Sequence, residues 1–295
     1  ETSNEAVLKK LAKLELQVSE LNRKAQHKGE AEERAERDRL FEGSLRQFGS
    51  GASKHAMMVI PKGEFMMGAL ENDEDADDDE KPRHKVTLTR DFLIGKYAVT
   101  QALWDSVMGS NPSDFNGANR PVECVSWFDV VSFCNKLSKR EGLEPAYSIN
   151  GENVTCNWSA KGYRLPTEAE WEKAARGGLA GKHYPHGDSV DNKTAYYDKG
   201  VGKTTAVGSY PSNDYGLHDM AGNVWEICWD WYLKDWYSQP GAVAKNPRGP
   251  DVDSLNSLIR IVRGGSGASD ANRLKVHYRR DFNLTWSQYL IGFRT

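Results

Sequence analysis

The chain has 295 residues and a formal net charge of −3, with 38% hydrophobic and 27% charged residues. This composition is typical of a globular protein with one large domain or two. The near-neutral charge argues against nucleic-acid binding, and no run of about 18 apolar residues is present that could span a membrane.

The first 48 residues differ in pattern from the rest of the chain. Between residues 7 and 25, apolar residues alternate at intervals of three and four, which predicts a helix with a coiled-coil seam. We predict an N-terminal helical segment over 1–48 that forms a stalk or packs on the main domain, and self-association through it is an alternative. The Gly/Ser-rich stretch at 49–56 predicts a hinge before a domain over 57–295.

Short strands separated by turns follow from residue 57 onward. The predicted strands lie at 58–60, 65–68, 86–88 and 92–94. The stretch at 71–80 is rich in carboxylates, and we interpret it as a solvated loop. Calcium binding is the alternative, although such sites need oxygen ligands held around a glycine turn.

Three helices are predicted from residues suited to cap them. Thr100 precedes the first helix. Ser126 with Asp129, and Thr167 with Glu170, have the spacing of capping boxes at the start of the second and third helices.

Four cysteines lack the paired spacings of a disulfide framework or a zinc site, so we predict free thiols. They are Cys124, Cys134, Cys156 and Cys228. Cys134 lies in an apolar run with helical spacing and Cys228 lies between two tryptophans, so both are predicted to be core residues.

The C-terminal segment has two framework-like motifs, at 263–266 and 291–294, which bracket 24 residues of mixed chemistry. This insert combines aromatic residues with short polar residues, a composition that binding surfaces favour. An amphipathic helix is the alternative, because apolar or aromatic residues recur every fourth position from Leu274 to Trp286.

Several motifs resemble the formylglycine-generating-enzyme family of sulfatase-modifying domains, whose fold is a variant of the C-type lectin fold. They include RLPTEAEWE at 164–172, GLHDMAGNVWE at 216–226, RGGS at 263–266 and GFR at 292–294. The resemblance implies an α+β domain with this fold from about residue 57 to the end.

The oxidase activity of that family depends on paired copper-binding cysteines a few residues after the Gly-Gly-Ser motif. No cysteine follows Ser266, and the last cysteine of the chain is Cys228. We therefore expect no copper and no enzymatic activity. An enzyme of this family with altered metal-dependent chemistry is the alternative, and an interaction module beside a kinase or secretion partner is a third hypothesis.

The bracketed insert resembles the variable region of retroelement-diversified variable proteins, in which mutagenesis rewrites a C-terminal ligand-binding surface. The resemblance implies a non-catalytic binding protein with a variable region over 264–294, in which Ala271, Leu274 and Arg279 are scaffold positions. Gly267 stands where a tryptophan is usual. The displayed residues would be Ala268, Ser269, Asp270, Arg273, His277, Tyr278, Arg280, Asp281, Phe282, Trp286, Gln288, Tyr289 and Leu290.

The resemblance further implies a receptor or adhesin at the cell surface or outside the cell, compatible with an export signal or lipid attachment upstream of Glu1. The expected partner is an unknown protein or other macromolecule. The resemblance also implies one structural calcium, with ligands from Asp219, Gly222, Val224 and Glu226. The alternative is that the two carboxylates only hydrogen-bond their loop.

Overall fold

The computed structural model describes residues 45–49, 54–199, 203–251 and 258–295. The predicted N-terminal helix lies outside these residues except at its end, where Leu45–Phe48 form a strand, β1. This strand pairs antiparallel with β2 (His55–Ile60). The helix prediction is therefore wrong for residues 45–48. Of the predicted hinge at 49–56, residues 55 and 56 belong to β2, and residues 50–53 lie outside the described residues.

The described residues form an α+β fold, as predicted. The remaining strands are β3 (Gly63–Met67), β4 (His84–Leu88), β5 (Phe92–Gly95), β6 (Tyr147–Asn150), β7 (Asn153–Cys156), β8 (Trp225–Trp231), β9 (Ile259–Arg263), β10 (Arg280–Asn283) and β11 (Ile291–Gly292). The α-helices are α1 (Gln101–Met108), α2 (Trp127–Arg140) and α3 (Glu168–Arg176). Short 3₁₀ turns lie at Asp78–Glu80, Trp236–Ser238, Pro240–Val243 and Asn272–Leu274.

The three predicted helix starts are confirmed. The Thr100 side chain accepts a backbone hydrogen bond at the start of α1. Ser126 with Asp129, and Thr167 with Glu170, form complete capping boxes at α2 and α3. Within the described part of the chain, none of these helices has the length and apolar character required to cross a bilayer.

A four-stranded sheet, in the order β10-β9-β8-β11, positions the C-terminal insert. Strand β9 leads into the first bracketing motif and β10 lies within the insert. Strand β11, in the second motif, pairs parallel with β8, so that Ile291 lies opposite Trp225. The two ends of the insert are thus held in one sheet. The other sheets have the orders β1-β2-β5, β3-β4 and β6-β7.

The main core lies between α2 and this four-stranded sheet. Phe293, in the second bracketing motif, is fully buried and packs edge-to-face on Trp104 and Phe133, with ring centroids 5.9 and 5.3 Å apart. Cys134 and Cys228 are also fully buried, so their prediction as core residues is confirmed.

Candidate ligand-binding surface

Arg263, in the first bracketing motif, is fully buried and fixes the insert to helix α3. Its guanidinium contacts the Glu172 carboxylate and donates to Glu168 at 3.1 Å. It also donates to the backbone carbonyls of Val276 and His277, at 2.8 and 3.0 Å. Since a buried charge is tolerated only when it is paired and hydrogen-bonded, these contacts define the position of the insert backbone.

Two further buried arginines fix other points of the C-terminal segment. Arg279 donates to Glu168 and to the backbone carbonyl of Asp79, both at 2.8 Å. Arg294, in the second bracketing motif, contacts both carboxylate oxygens of Glu226 at 2.6 Å. The prediction that Arg279 is a scaffold residue agrees with its burial.

Main-chain hydrogen bonds hold the last part of the insert. The backbone N–H of Cys124 donates to the Gln288 carbonyl at 3.1 Å, and that of Trp225 donates to the Leu290 carbonyl at 2.8 Å. These bonds do not depend on the identity of the insert side chains, so the loop conformation tolerates substitution at its outward positions.

The thirteen residues predicted to be displayed divide into three groups by exposure. The exposed residues are Ala268, Asp270, Arg273, Asp281, Trp286 and Tyr289. The half-buried residues are Tyr278, Arg280 and Gln288, and the buried residues are Ser269, His277, Phe282 and Leu290. We use the term outward set for the six exposed residues.

The expectation of display is wrong for Ser269 and Phe282. Strand β10 alternates its side chains between two faces, so Asp281 is exposed while its neighbour Phe282 is 3% exposed and packs in the main core. Ser269 closes a turn, since its hydroxyl accepts a hydrogen bond from the Ser266 N–H at 3.0 Å.

The expectation is also wrong for His277 and Leu290. His277 is 1% exposed and lies 2.7 Å from a Glu80 carboxylate oxygen, 197 residues away in the chain. Leu290 is 4% exposed and turns inward beside strand β11. The alternative of a helix through this region is wrong, because β10 occupies 280–283.

Trp286 and Tyr289 are large aromatic side chains of the insert that face solvent, with 54% and 48% of their surface exposed. The Asn283 carbonyl accepts from the Trp286 N–H at 3.0 Å, which closes a turn below the indole. Tyr289 packs edge-to-face on Phe115, with centroids 6.3 Å apart. Tyr289 is therefore packed on one side, Trp286 extends from a hydrogen-bonded turn, and both offer the large aromatic surface that hot-spot residues of protein interfaces supply.

Trp225 supports the half-buried part of the insert from below. It is 2% exposed, with the Tyr278 ring 5.8 Å from its ring and the Arg280 guanidinium 5.1 Å away. Such cation–π and aromatic contacts orient the two side chains without burying them completely.

A cleft of about 450 Å³ lies beside Tyr278, Arg280 and Asp281. Its opposite wall includes Asp77 and Lys234. The cleft is lined by charges of both signs and by two tyrosines, so it offers hydrogen-bond donors and acceptors next to the outward set.

The interpretation of 71–80 as a solvated loop is wrong for three of its acidic residues. Asp73, Asp79 and Glu80 are 7%, 6% and 1% exposed, and they face the insert. Lys275 donates to both oxygens of Asp73, at 2.8 and 3.0 Å. Burial raises the pKa of Asp79 and of Glu80. One sequence signal could have predicted this burial. Basic residues recur at every second position in Lys275, His277 and Arg279, and such a run complements a nearby acidic segment.

The cysteine thiols do not form a reactive site. Burial raises the pKa of all four, to about 12 for Cys124 and about 11 for Cys156. A thiol with so high a pKa is protonated at neutral pH, and only the thiolate is a good nucleophile or metal ligand.

The predicted calcium ligands Asp219 and Glu226 both have hydrogen-bond partners within the protein. Glu226 is compensated by Arg294 and also accepts from the Trp171 indole N–H at 2.7 Å. Asp219 accepts from the Gly208 N–H at 2.7 Å, and burial raises its pKa to about 6. Both carboxylates therefore have partners within the protein, as the hydrogen-bonding alternative requires, and the calcium site stays a prediction.

Gly222 and Val224 have structural roles in the same loop. Gly222 has φ +84°, and a Cβ there would lie 2.3 Å from the backbone oxygen of Tyr196. Val224 is 2% exposed. Close backbone packing therefore explains the glycine in this motif without an ion.

A second cleft, of about 670 Å³, shares no residue with the insert, and the sequence analysis gave it no role. Trp158 lies in its wall with the Arg248 guanidinium 4.2 Å and the Arg164 guanidinium 5.1 Å from the ring.

Comparison with known proteins identifies the family. A model of the sulfatase-modifying factor enzyme 1-like domain matches residues 46–295. The chain belongs to this family. The predicted fold is thereby confirmed, and the match begins within β1 rather than at residue 57.

Three relatives illustrate the range of the family. The solved structure of Treponema denticola variable protein 1 is similar with a TM-score of 0.74 and 33% identity, covering 85% of this chain and 97% of that one. The chaperone protein LppX of Paenibacillus barcinonensis is 36% identical over 67% of this chain and 76% of the relative. The formylglycine-generating enzyme of Thermomonospora curvata is 28% identical over 81% and 92%.

These similarities confirm the resemblance to variable proteins, but the relatives differ in activity. Three chlamydial serine/threonine-protein kinases also match, and the chain spans 37% of their length. Family membership therefore establishes the fold, whereas the function has to be argued from the residues of this chain.

Proposed function

We propose that this chain is a non-catalytic ligand-binding protein with a diversifiable C-terminal surface, formed by the outward set. The observation that carries the proposal is the exposure of Trp286 and Tyr289 on a loop held by main-chain bonds. Two large aromatic rings left half exposed have no role in the core, whereas they are suited to contact another molecule.

The separation of buried scaffold residues from exposed residues within the insert supports diversification. The backbone is fixed by buried arginines and by strand pairing, and the outward set takes no part in the main core. Substitutions at exposed positions usually change stability by less than about 0.5 kcal/mol. Side chains of the outward set can therefore change between related copies while the fold persists.

The chemistry of the insert supports binding rather than oxidation. No cysteine lies between Ser266 and the end of the chain. The four thiols elsewhere have raised pKa values. The rival function is a family enzyme with altered, metal-dependent oxidase chemistry.

The proposed partner is a protein or another macromolecule with a surface of standard interface size. Such an interface buries ~800 Å² per partner, and a few aromatic anchors contribute most of its energy.

We place the protein at the cell surface or outside the cell, as a receptor or adhesin. Surface labelling of intact cells, compared with lysed cells, tests this placement.

A pair of libraries tests the binding function. The first randomises the outward set, and the second randomises the buried residues Ser269, His277, Phe282 and Leu290. We expect most clones of the first library to unfold cooperatively near the parental temperature and to yield binders when selected against an arbitrary protein such as lysozyme. The second library should yield few folded clones. A first library that is mostly unfolded, or that yields no binders, would contradict the proposal.

An assay of aerobic oxidation separates binding from the rival function. The protein is incubated with copper or zinc and a cysteine-containing peptide, and aldehyde formation is followed by mass spectrometry. We expect none. Turnover that is lost on chelation would refute the non-catalytic assignment even if the first library remained folded.

A further inference from the structure

A buried cluster of Asp73, His183 and His277 lies beneath the insert. Asp73 and His277 have side chains that are 4% and 2% exposed, and the His183 side chain is 26% exposed. The Asp73 Oδ2 atom lies 3.2 Å from His277 Nε2 and 3.2 Å from His183 Nδ1. Three groups able to coordinate a metal thus converge on one point from segments that are far apart in the chain.

Two nitrogens of this cluster have no hydrogen-bond partner. His277 Nε2 and His183 Nδ1 are buried atoms, and neither makes a hydrogen bond despite the nearby carboxylate. A buried polar atom without a partner costs about 1–3 kcal/mol, so such atoms in a folded protein call for an explanation. A cation between the nitrogens and the carboxylate oxygen would satisfy both.

Glu80 gives His277 the orientation of a metal ligand. Its Oε2 atom lies 2.7 Å from His277 Nδ1, on the ring edge opposite the free Nε2. A carboxylate that accepts from one ring nitrogen leaves the lone pair of the other nitrogen available, and this carboxylate–histidine arrangement is general at zinc sites.

The distances fit a small coordination sphere. With bonds of about 2.0–2.1 Å, two ligands of a tetrahedral zinc ion are about 3.3 Å apart. The two oxygen-to-nitrogen separations of 3.2 Å match this value. All three ligand atoms lie within 4.8 Å of one another, so a rotation of the partly exposed His183 ring closes the set.

The surrounding charges favour a dication. Asp73 and Glu80 are buried here, and Asp75 lies at the rim. Lys275 is the ammonium that faces them, 2.8 Å from Asp73 Oδ1, 3.0 Å from Asp73 Oδ2 and 3.7 Å from Asp75, while Arg263 acts on Glu80 from further away and is itself paired with Glu168 and Glu172. Carboxylates outnumber the one ammonium at the ligand atoms when the histidines are neutral, and a divalent ion would offset this excess of negative charge.

We propose that Asp73, His183 and His277 bind a divalent transition metal, with zinc as the best match. Two imidazoles and one carboxylate suit zinc and its first-row neighbours rather than calcium or magnesium, which prefer oxygen ligands. A metal bound here would link the acidic segment at 71–80, through Asp73, to the insert, through His277. It stands independently of the ligand-binding function, since neither His183 nor Asp73 belongs to the insert.

Equilibrium dialysis against zinc, followed by elemental analysis, tests the proposal with the full chain. The wild type should retain one zinc per chain and gain thermal stability. His183→Gln should weaken binding roughly tenfold or more, and Glu80→Gln by about 10–100-fold as an outer-shell change. His186→Gln is the matched control, because His186 faces Asp214 and should leave zinc binding unchanged.

His183 is the decisive position because its side chain is 26% exposed, so its substitution is more compatible with folding than that of the buried Asp73 or His277. Near-UV circular dichroism in EDTA checks that each variant keeps the native fold. Zinc binding that His183→Gln leaves unaffected would overturn the site. Failure of the folded wild type to bind zinc would also overturn it, and nitrogen NMR shifts of a doubly protonated His277 would then identify a proton as the bridging cation.

Discussion

Three truncations of aromatic residues in the insert measure how strongly the fold depends on each. Phe282 is 3% exposed in the main core, and its replacement by alanine should destabilise the protein by about 3–5 kcal/mol through lost burial and a cavity. Trp286 is 54% exposed and has little to lose, so Trp286→Ala should cost about 0.5 kcal/mol. Tyr289→Ala should cost about 1 kcal/mol, because Tyr289 also loses its contact with Phe115.

Urea unfolding followed by far-UV circular dichroism measures these differences. The three variants share the same loop region and the same type of substitution, so burial is the main variable. Equal slopes of free energy against urea are required for a valid comparison. A cost above about 2 kcal/mol for Trp286→Ala or Tyr289→Ala, or below about 1 kcal/mol for Phe282→Ala, would refute the assigned division between scaffold and surface.

Three further predictions follow from buried titratable groups. Arg176 and Arg263 lower the pKa of Glu172 from 4.5 to about 2. Ionised Glu172 should therefore add about 3 kcal/mol to the free energy of unfolding above pH 4.5, and this contribution is lost as the pH falls towards 2. Acid titrations of stability should show that Glu172→Gln removes most of this pH dependence. Burial raises the pKa of Asp219 from 3.8 to about 6, so Asp219→Asn should stabilise the protein by about 2–3 kcal/mol at pH 8 and change its stability little below pH 4. We expect calcium to leave the melting temperature of the wild type unchanged. A rise in the melting temperature with calcium would support the predicted calcium site. The four thiols should react slowly with iodoacetamide at neutral pH and rapidly in urea, and fast labelling of the native protein would contradict their raised pKa values.

Features that depend on local sequence could be predicted. The capping boxes at Ser126 and Thr167 involve residues three apart, so the chain alone specifies them. The short strands near residues 58 and 65 were indicated by β-branched and aromatic runs between turn residues. The bracketing motifs likewise indicated the family, because their order along the chain is specific.

Features that depend on distant partners could not be predicted. The sequence predicts display of His277 because its partner Glu80 is 197 residues away, and nothing next to it in the chain identifies that contact. The ion pair between Arg294 and Glu226, across 68 residues, likewise has no signal in the local sequence. Spacing within the insert also failed for Phe282, since its orientation follows from pairing with β9.

An insert residue is free to vary only when its side chain has no contact with the buried scaffold. Glu168 accepts from both Arg263 and Arg279, so one carboxylate of the scaffold ties the bracket to the interior of the insert. Residues that turn towards α3 and the acidic segment at 71–80 therefore belong to the scaffold, even though they lie within the bracketed sequence. His277 is such a residue, and a change there would disturb its contacts with Asp73 and Glu80. A diversified surface on this fold should accordingly concentrate its variation on the outward set.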